Sequence, residues 1–285
     1  MFRHGPHHGE EPPVSGTRGS GTIFFSHCTM QCRYCQNYPW SQEHRGETLD
    51  PESLARLMLQ IQAADCHNLN LVSPTPWLPA IESAWQTARQ EGFNLPVVYN
   101  TSGYERTDIL EHFASMTRVY LTDLRYARPE TAAAASGAPD YVDKARSALQ
   151  TMSRLTGPLR LDPAGIARSG TICRILMLPG HADEAVMNLE WIADHLGNAV
   201  AVSLMSQYLP AHRASETAPW NRRITRQEYE SAMAAMERLE FEQGWMQDFE
   251  GDSPPELVGF NMPAGEGSAG HHPHQADDQQ KRSET

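Results

Sequence analysis

Between residues 22 and 243 the chain alternates short, apolar, β-prone runs with longer segments whose apolar positions recur at the helical period. The apolar runs predict strands at 22–26, 69–73, 96–100, 118–123, 171–178 and 199–207. The periodic segments predict helices at 51–64, 78–91, 107–115, 139–155, 182–196 and 225–243. Six strand–helix pairs in alternation point to an α/β fold, a parallel sheet covered by helices. Two of the helix starts carry a mechanism. Asp50-Pro51-Glu52 offers an N-cap, a proline at the first helical position and an acid in the first turn, while Thr225 and Glu228 are spaced as a capping box. With right-handed crossovers, the loops that follow the strand C-termini gather at one end, and functional residues are expected there.

Both ends of the chain break the pattern. Residues 1–21, rich in His, Gly and Pro, read as an extended N-terminal arm. Residues 251–285 mix Pro, Gly and acids with His271, His272 and His274 and read as a disordered tail, which leaves 22–250 as the folded domain. The start lacks the apolar core of a signal peptide and no run of about 18 apolar residues spans a bilayer, so the expectation is a cytoplasmic protein with no membrane partner. A formal charge of -12 argues against a nucleic-acid partner, which would require clustered Lys and Arg against phosphates. Five cysteines, an odd count, fit a reducing compartment, with the isolated Cys66 and Cys173 read as buried hydrophobes.

The other three cysteines stand as Cys28-X3-Cys32-X2-Cys35 directly after the first predicted strand. Soft thiolates select zinc, copper(I) or an iron–sulfur cluster. A zinc site closed by His27 or by a distant residue is one reading, and a cluster held by three thiolates with an open fourth position is the other. The remaining strands close in polar residues: Ser73 and Thr75, Asn100 and Ser102, Asp123 and Arg125. Asp123 and Arg125 also fit an ordinary strand-end ion pair. Arg174 lies inside an apolar run, where a charge needs a partner, either a bound carboxylate or a salt bridge within the fold.

The cysteine spacing, with Tyr34 just before the last ligand, resembles the signature of the radical S-adenosylmethionine (radical SAM) superfamily. The resemblance implies a partial (β/α)6 barrel, here with disordered N- and C-terminal extensions. It further implies that Cys28, Cys32 and Cys35 hold three irons of a [4Fe-4S] cluster, whose fourth iron binds S-adenosylmethionine. Reductive cleavage there would yield a 5′-deoxyadenosyl radical for hydrogen abstraction. More narrowly, the stretches 19–26, 35–38, 121–126 and 178–180, with His8-Gly9-Glu10-Glu11-Pro12-Pro13, resemble an uncharacterised branch related to pyruvate formate-lyase activating enzymes, whose longer members carry a further cysteine-bearing N-terminal segment that this sequence lacks. This likeness covers about residues 7–250. By it Tyr34 lies near the adenine, Asn100, Ser102 and Asp123 near the ribose and methionine, and Arg125 and Arg174 face the carboxylate. Ser73 and Thr75 stand where the superfamily commonly has Gly-Gly-Glu, Arg125 where the activating enzymes usually have Lys, and Asn100 where they often have Asp. Glu10 and Glu11 stay open between a substrate contact and a solvated arm. The resemblance implies an electron donor such as flavodoxin or ferredoxin and, from the activating enzymes, a protein substrate attacked at a backbone glycine. The rival reading is a non-catalytic zinc or iron–sulfur metalloprotein that acts as a redox sensor or partner-binding module.

Overall fold

The computed structural model describes residues 1–249, so the tail expected at 251–285 lies outside the described residues. Nine strands are present among the described residues: β1 (Arg3–His7), β2 (Ser20–Phe24), β3 (Leu69–Val72), β4 (Val97–Thr101), β5 (Thr117–Asp123), β6 (Arg160–Leu161), β7 (Ala167–Leu176), β8 (Ala201–Met205) and β9 (Gly244–Met246). The helices are α1 (Pro12–Ser15), α2 (Tyr38–Ser41), α3 (Pro51–Ala63), α4 (Leu78–Gln90), α5 (Thr107–His112), α6 (Pro129–Ser136), α7 (Tyr141–Thr156), α8 (Ala182–His195) and α9 (Arg226–Arg238). The sheet order is β1-β2-β3-β4-β5-β7-β8-β9, with β6 paired to β7. From β2 to β9 the neighbours along this path are parallel, and β1 joins β2 antiparallel. All six predicted strands are there in the predicted order. The sheet stays open between β1 and β9, a partial barrel.

The two helix starts form as their sequences require. The Asp50 side chain accepts from Ser53 N–H at 2.7 Å, and Thr225 and Glu228 close a reciprocal capping box. Two predicted helices end early: α5 stops at His112, and α9 stops at Arg238 so that the following residues can add β9 to the sheet. Helix α6 was not expected, because its alanine-rich turns carry little amphipathic contrast; Pro129 starts it and Gly137, in the left-handed region, stops it.

Residues 1–21 are a correction to the expected arm. Arg3–His7 pair residue for residue with Phe24–Ser20, and α1 buries Val14 among Val98, Val119, Leu121, Ile172 and Ala201. Alternation along the strands explains where these groups meet. One face of the sheet presents Ile23, Leu71, Tyr99 and Tyr120 to the layer that holds apolar residues of α3 and α4. The other face encloses the barrel interior, apolar at the level of Val98 and Ile172 and polar one step further along, at Asn70, Asn100, Asp123, Arg174 and Ser203. The N-terminal segment therefore plugs the interior rather than trailing in solvent.

Candidate active site

The cysteine loop leaves the C-terminal end of β2 and returns through α2. Cys32 is buried, and Cys28 and Cys35 are partly buried. Short local bonds shape the loop: Cys35 N–H donates to the Cys32 carbonyl at 3.2 Å, and Gln42 Nε2 donates to the same oxygen at 2.9 Å. Met30 N–H reaches Cys28 Sγ at 3.5 Å, and Ser41 Oγ lies 3.2 Å from Cys35 Sγ. Burial pushes the free Cys28 thiol up and the Cys35 thiol up to about 11, so proton release would accompany uptake of a soft metal.

A chain of charge runs from this loop into the barrel. Arg125 donates through Nη1 to Cys32 Sγ at 2.8 Å and through Nη2 and Nε to Asp123 Oδ2 at 2.6 and 3.0 Å. The other Asp123 oxygen accepts from Arg174 Nε at 2.8 Å. Arg174 then donates to Asn100 Oδ1 at 2.7 Å and to Glu10 Oε2 at 3.1 Å. Glu10 Oε1 accepts from Asn70 at 2.9 Å and from Asn100 at 3.1 Å. Burial alone would raise Asp123, but the guanidiniums of Arg174 and Arg125 hold it below the usual carboxylate range. Glu10 and Glu11 go the other way, raised by burial despite Arg174.

These positions were read in part from sequence. The structure brings Asp123, Arg125, Asn100 and Arg174 together at the strand ends. Arg174, which needed a partner, has two within the chain, Asp123 and Glu10. Tyr34 lines the space beside the cysteines, but its hydroxyl is engaged with Tyr126 at 2.7 Å and its ring tilts against Tyr208. Ser73 Oγ lies 4.0 Å from Cys28 Sγ. Thr75 is bonded to Tyr99 at 3.1 Å and to Glu105 at 2.6 Å, on the helix-facing side of the sheet, and it lines neither of the cavities described next. Ser102 likewise lines neither, its carbonyl accepting from Tyr141 at 2.8 Å.

Glu10 corrects the solvated-arm alternative: it is a buried member of the network. The available signal was the polar Asn70 between Leu69 and Leu71, an inward position that required a polar partner. Glu105 was missed altogether. Gly103 makes its loop possible, since at φ +81° it lies so close to β5 that a Cβ would meet the Asp123 carbonyl at 2.3 Å.

Two adjoining cavities open on the network. One, of 180 Å³, is lined by Cys32, Tyr34, Cys35, Asp123, Arg125 and Arg174 among others. The second, of 460 Å³, lies between β1 and β9 and shares Gln36, Asn37, Arg174, Met205 and Gln207 with the first. Among the described residues no three His, Cys, Asp or Glu side chains, the three cysteines included, converge on a single ion-sized point. Three thiols on one loop do suit the corners of a cluster.

The family model of the radical SAM superfamily matches residues 22–190, more than half of the chain. The chain belongs to the radical SAM superfamily. Its relative, the uncharacterized protein MJ0674 of Methanocaldococcus jannaschii, is 28% identical over 227 residues, 77% of this radical SAM chain and 62% of that protein. Among solved structures, the FeFe-hydrogenase maturase HydG from Carboxydothermus hydrogenoformans superposes with a TM-score of 0.55 at 14% identity, over 83% of this chain and 54% of that one. SuiB of Streptococcus suis bound to its precursor peptide SuiA gives 0.55 at 10% identity, over 79% and 48%. At such identities the likeness is one of fold, and the radical SAM chain spans about half the length of these proteins. Radical SAM enzymes use a [4Fe-4S] cluster and S-adenosylmethionine, and these are its cofactors. No helix among the described residues is long and apolar enough to cross a membrane.

Proposed function

We propose that Cys28, Cys32 and Cys35 hold the cluster and that S-adenosylmethionine occupies the cavity beside Cys32, as a reductive cleavage site for hydrogen abstraction. The observation that carries this reading is the unbroken run Cys32–Arg125–Asp123–Arg174, which joins the cysteine loop to the polar chamber. When bound, the cluster and sulfonium supply a 5′-deoxyadenosyl radical. The protein's own groups do the rest. Arg125 sets a positive charge on the Cys32 sulfur, Asp123 holds Arg125 and Arg174 in register, and Tyr34 walls the cavity. Asn100 and Glu10 hold Arg174 at the cavity wall, and Ser73 stands beside Cys28 in place of the superfamily's acidic contact.

The finer assignment is an activating-enzyme type of reaction on a peptide or protein substrate, at a backbone glycine, with the electron supplied by a flavodoxin or ferredoxin. The motifs 19–26, 35–38 and 121–126 support it, and the peptide-bound SuiB structure shows this fold beside a peptide in another protein. Anaerobic reconstitution tests the core of the proposal. The reduced cluster should change its paramagnetic resonance spectrum when S-adenosylmethionine is added, and dithionite should drive cleavage to 5′-deoxyadenosine in wild type but not in Cys32→Ala. A spectrum indifferent to the ligand, or equal product from both proteins, removes the assignment.

A further inference from the structure

The 460 Å³ cavity at the open edge of the barrel carries an unmatched acceptor. Glu11, 8% exposed, lines it. No hydrogen-bond donor reaches its Oε2. Asn70 Oδ1, buried deeper in the same interior, is also unpaired. A buried carboxylate oxygen without a donor is costly and points to a missing N–H or O–H group.

Charge accounting gives that group a sign. Three buried carboxylates, Asp123, Glu10 and Glu11, lie within the field of Arg174, and Asp123 shares a second guanidinium, Arg125. Burial favours the neutral forms of Glu10 and Glu11 in the empty chamber, and a cation set against Glu11, with Asp248 also on the cavity wall, is what would let the acid ionise. Arg174 cannot serve an anionic ligand cheaply, because Asp123 and Glu10 already hold it at 2.8 and 3.1 Å. His7, also on the wall, is pushed down to about 4 by burial and brings no charge at neutral pH. The rest of the wall sets Phe24, Met205, Trp245 and Met246 beside the amides of Gln36, Asn37, Gln207 and Gln247. A buried acid beside aliphatic and aromatic groups suits a chain ending in a cation, and the wall amides suit the polar groups of a peptide.

We infer that this cavity is the substrate site and that it takes an alkylammonium group, the side chain of a lysine in a peptide or a free aliphatic amine, with Glu11 as its acceptor. The inference rests on the radical SAM site proposed above. It adds what that site acts on. A ligand here would sit beside Arg174, Met205 and Gln207, which also line the cysteine-side cavity, so its aliphatic carbons would face the place where the radical is made.

Binding to the cluster-loaded protein, oxidised and with S-adenosylmethionine saturating throughout, tests it. The sulfonium compound is itself a cation, and its presence fills its own site first. The probes are acetyl-Gly-Lys-Gly-amide, its norleucine counterpart, its glutamate counterpart and cadaverine, followed by titration calorimetry. The lysine peptide should bind at least about tenfold more tightly than the norleucine peptide, one lost charge-assisted hydrogen bond, and Glu11→Gln should remove that preference. Cadaverine matching the lysine peptide supports the site with a small-molecule source; a lysine peptide well ahead of it supports a peptide source. Equal binding of lysine and norleucine, or preference for glutamate, overturns the proposal. If Glu11→Gln does not fold, Asp248→Asn, on the outer wall, should reduce the lysine preference about threefold, and no reduction overturns it. Cleavage of S-adenosylmethionine by wild type without a second substrate reports separately on the cluster reading, so the two failures are distinguishable.

Discussion

Arg125 shows how one side chain joins two tasks. Three of its N–H groups reach Cys32 Sγ and Asp123, and the planar Arg fork holds both acceptors in one fixed geometry where a compact, flexibly borne ammonium would not. Arg125→Met leaves Asp123 with Arg174 alone and the cysteine sulfur without its donor. We expect a stability loss of about 2 kcal/mol, typical of a lost hydrogen bond to a charged group, and a more negative cluster potential, because a cation beside a cluster sulfur favours the reduced form. A melting curve and a redox titration check both. Glu105 makes a different prediction. Its carboxylate is buried against Thr101 and Thr75, one oxygen lacks a partner, and burial, outweighing the two threonine hydrogen bonds, pushes its pKa up to about 7. The folded chain therefore keeps this proton where the unfolded chain, near 4.5, has lost it. Stability falls as pH rises from about 4.5 through 7, by about 3 kcal/mol in total on linkage grounds. Glu105→Gln should flatten that slope; an unchanged dependence of Tm on pH between 5 and 8 would refute it. Neither Glu105 nor Glu10 had a local signature, since Glu10 meets Arg174 across 164 residues. Asp123 and Arg125 were legible because they close a strand whose end could be counted.

At the scale of elements, the short α1 matters more than its four residues suggest. It carries Val14, fully buried, into the apolar level of the barrel, and Asn68 Nδ2 fixes its carbonyl at 2.7 Å. The preceding Glu10 and Glu11 then have no choice but to meet Arg174. Val14→Ala should cost about 2 kcal/mol, between the losses for smaller and larger core truncations, and lower Tm by some 4–8 °C for a chain of this size. A neutral result would mean that α1 lies on the barrel without plugging it. The six parallel strands were legible from apolar runs because parallel strands are buried on both faces. The plug was not, because Pro, Gly and His break every period, and its order comes from what it packs against. Strand β9 was hidden for a related reason: three residues at a sheet edge carry too little pattern to separate from the end of α9.

At the scale of the whole molecule, the chamber couples distant parts of the chain. Its polar level draws Glu10 from the N-terminal segment, Asn70 from β3, Asn100 from β4, Asp123 from β5, Arg174 from β7 and Ser203 from β8. A ligand held there touches strands that unfold together, so its binding energy is added to global stability rather than to one loop. If S-adenosylmethionine binds at this level, the cluster-loaded protein should gain about 2.7 kcal/mol at a concentration of about 100 Kd. For a domain this long that is a rise in Tm of roughly 5–10 °C. Cys32→Ala, which cannot present the same open site, should show little of the rise under the same conditions. Arg174→Met should melt lower without ligand, since it leaves Asp123 with Arg125 alone and Glu10 with only its amide partners, a loss of about 3 kcal/mol, and should gain less from the ligand. Equal thermal gains in wild type, Cys32→Ala and Arg174→Met would place S-adenosylmethionine somewhere other than the chamber. A gain confined to wild type would tie the sulfonium ligand to the same interior that the six strands were built to enclose.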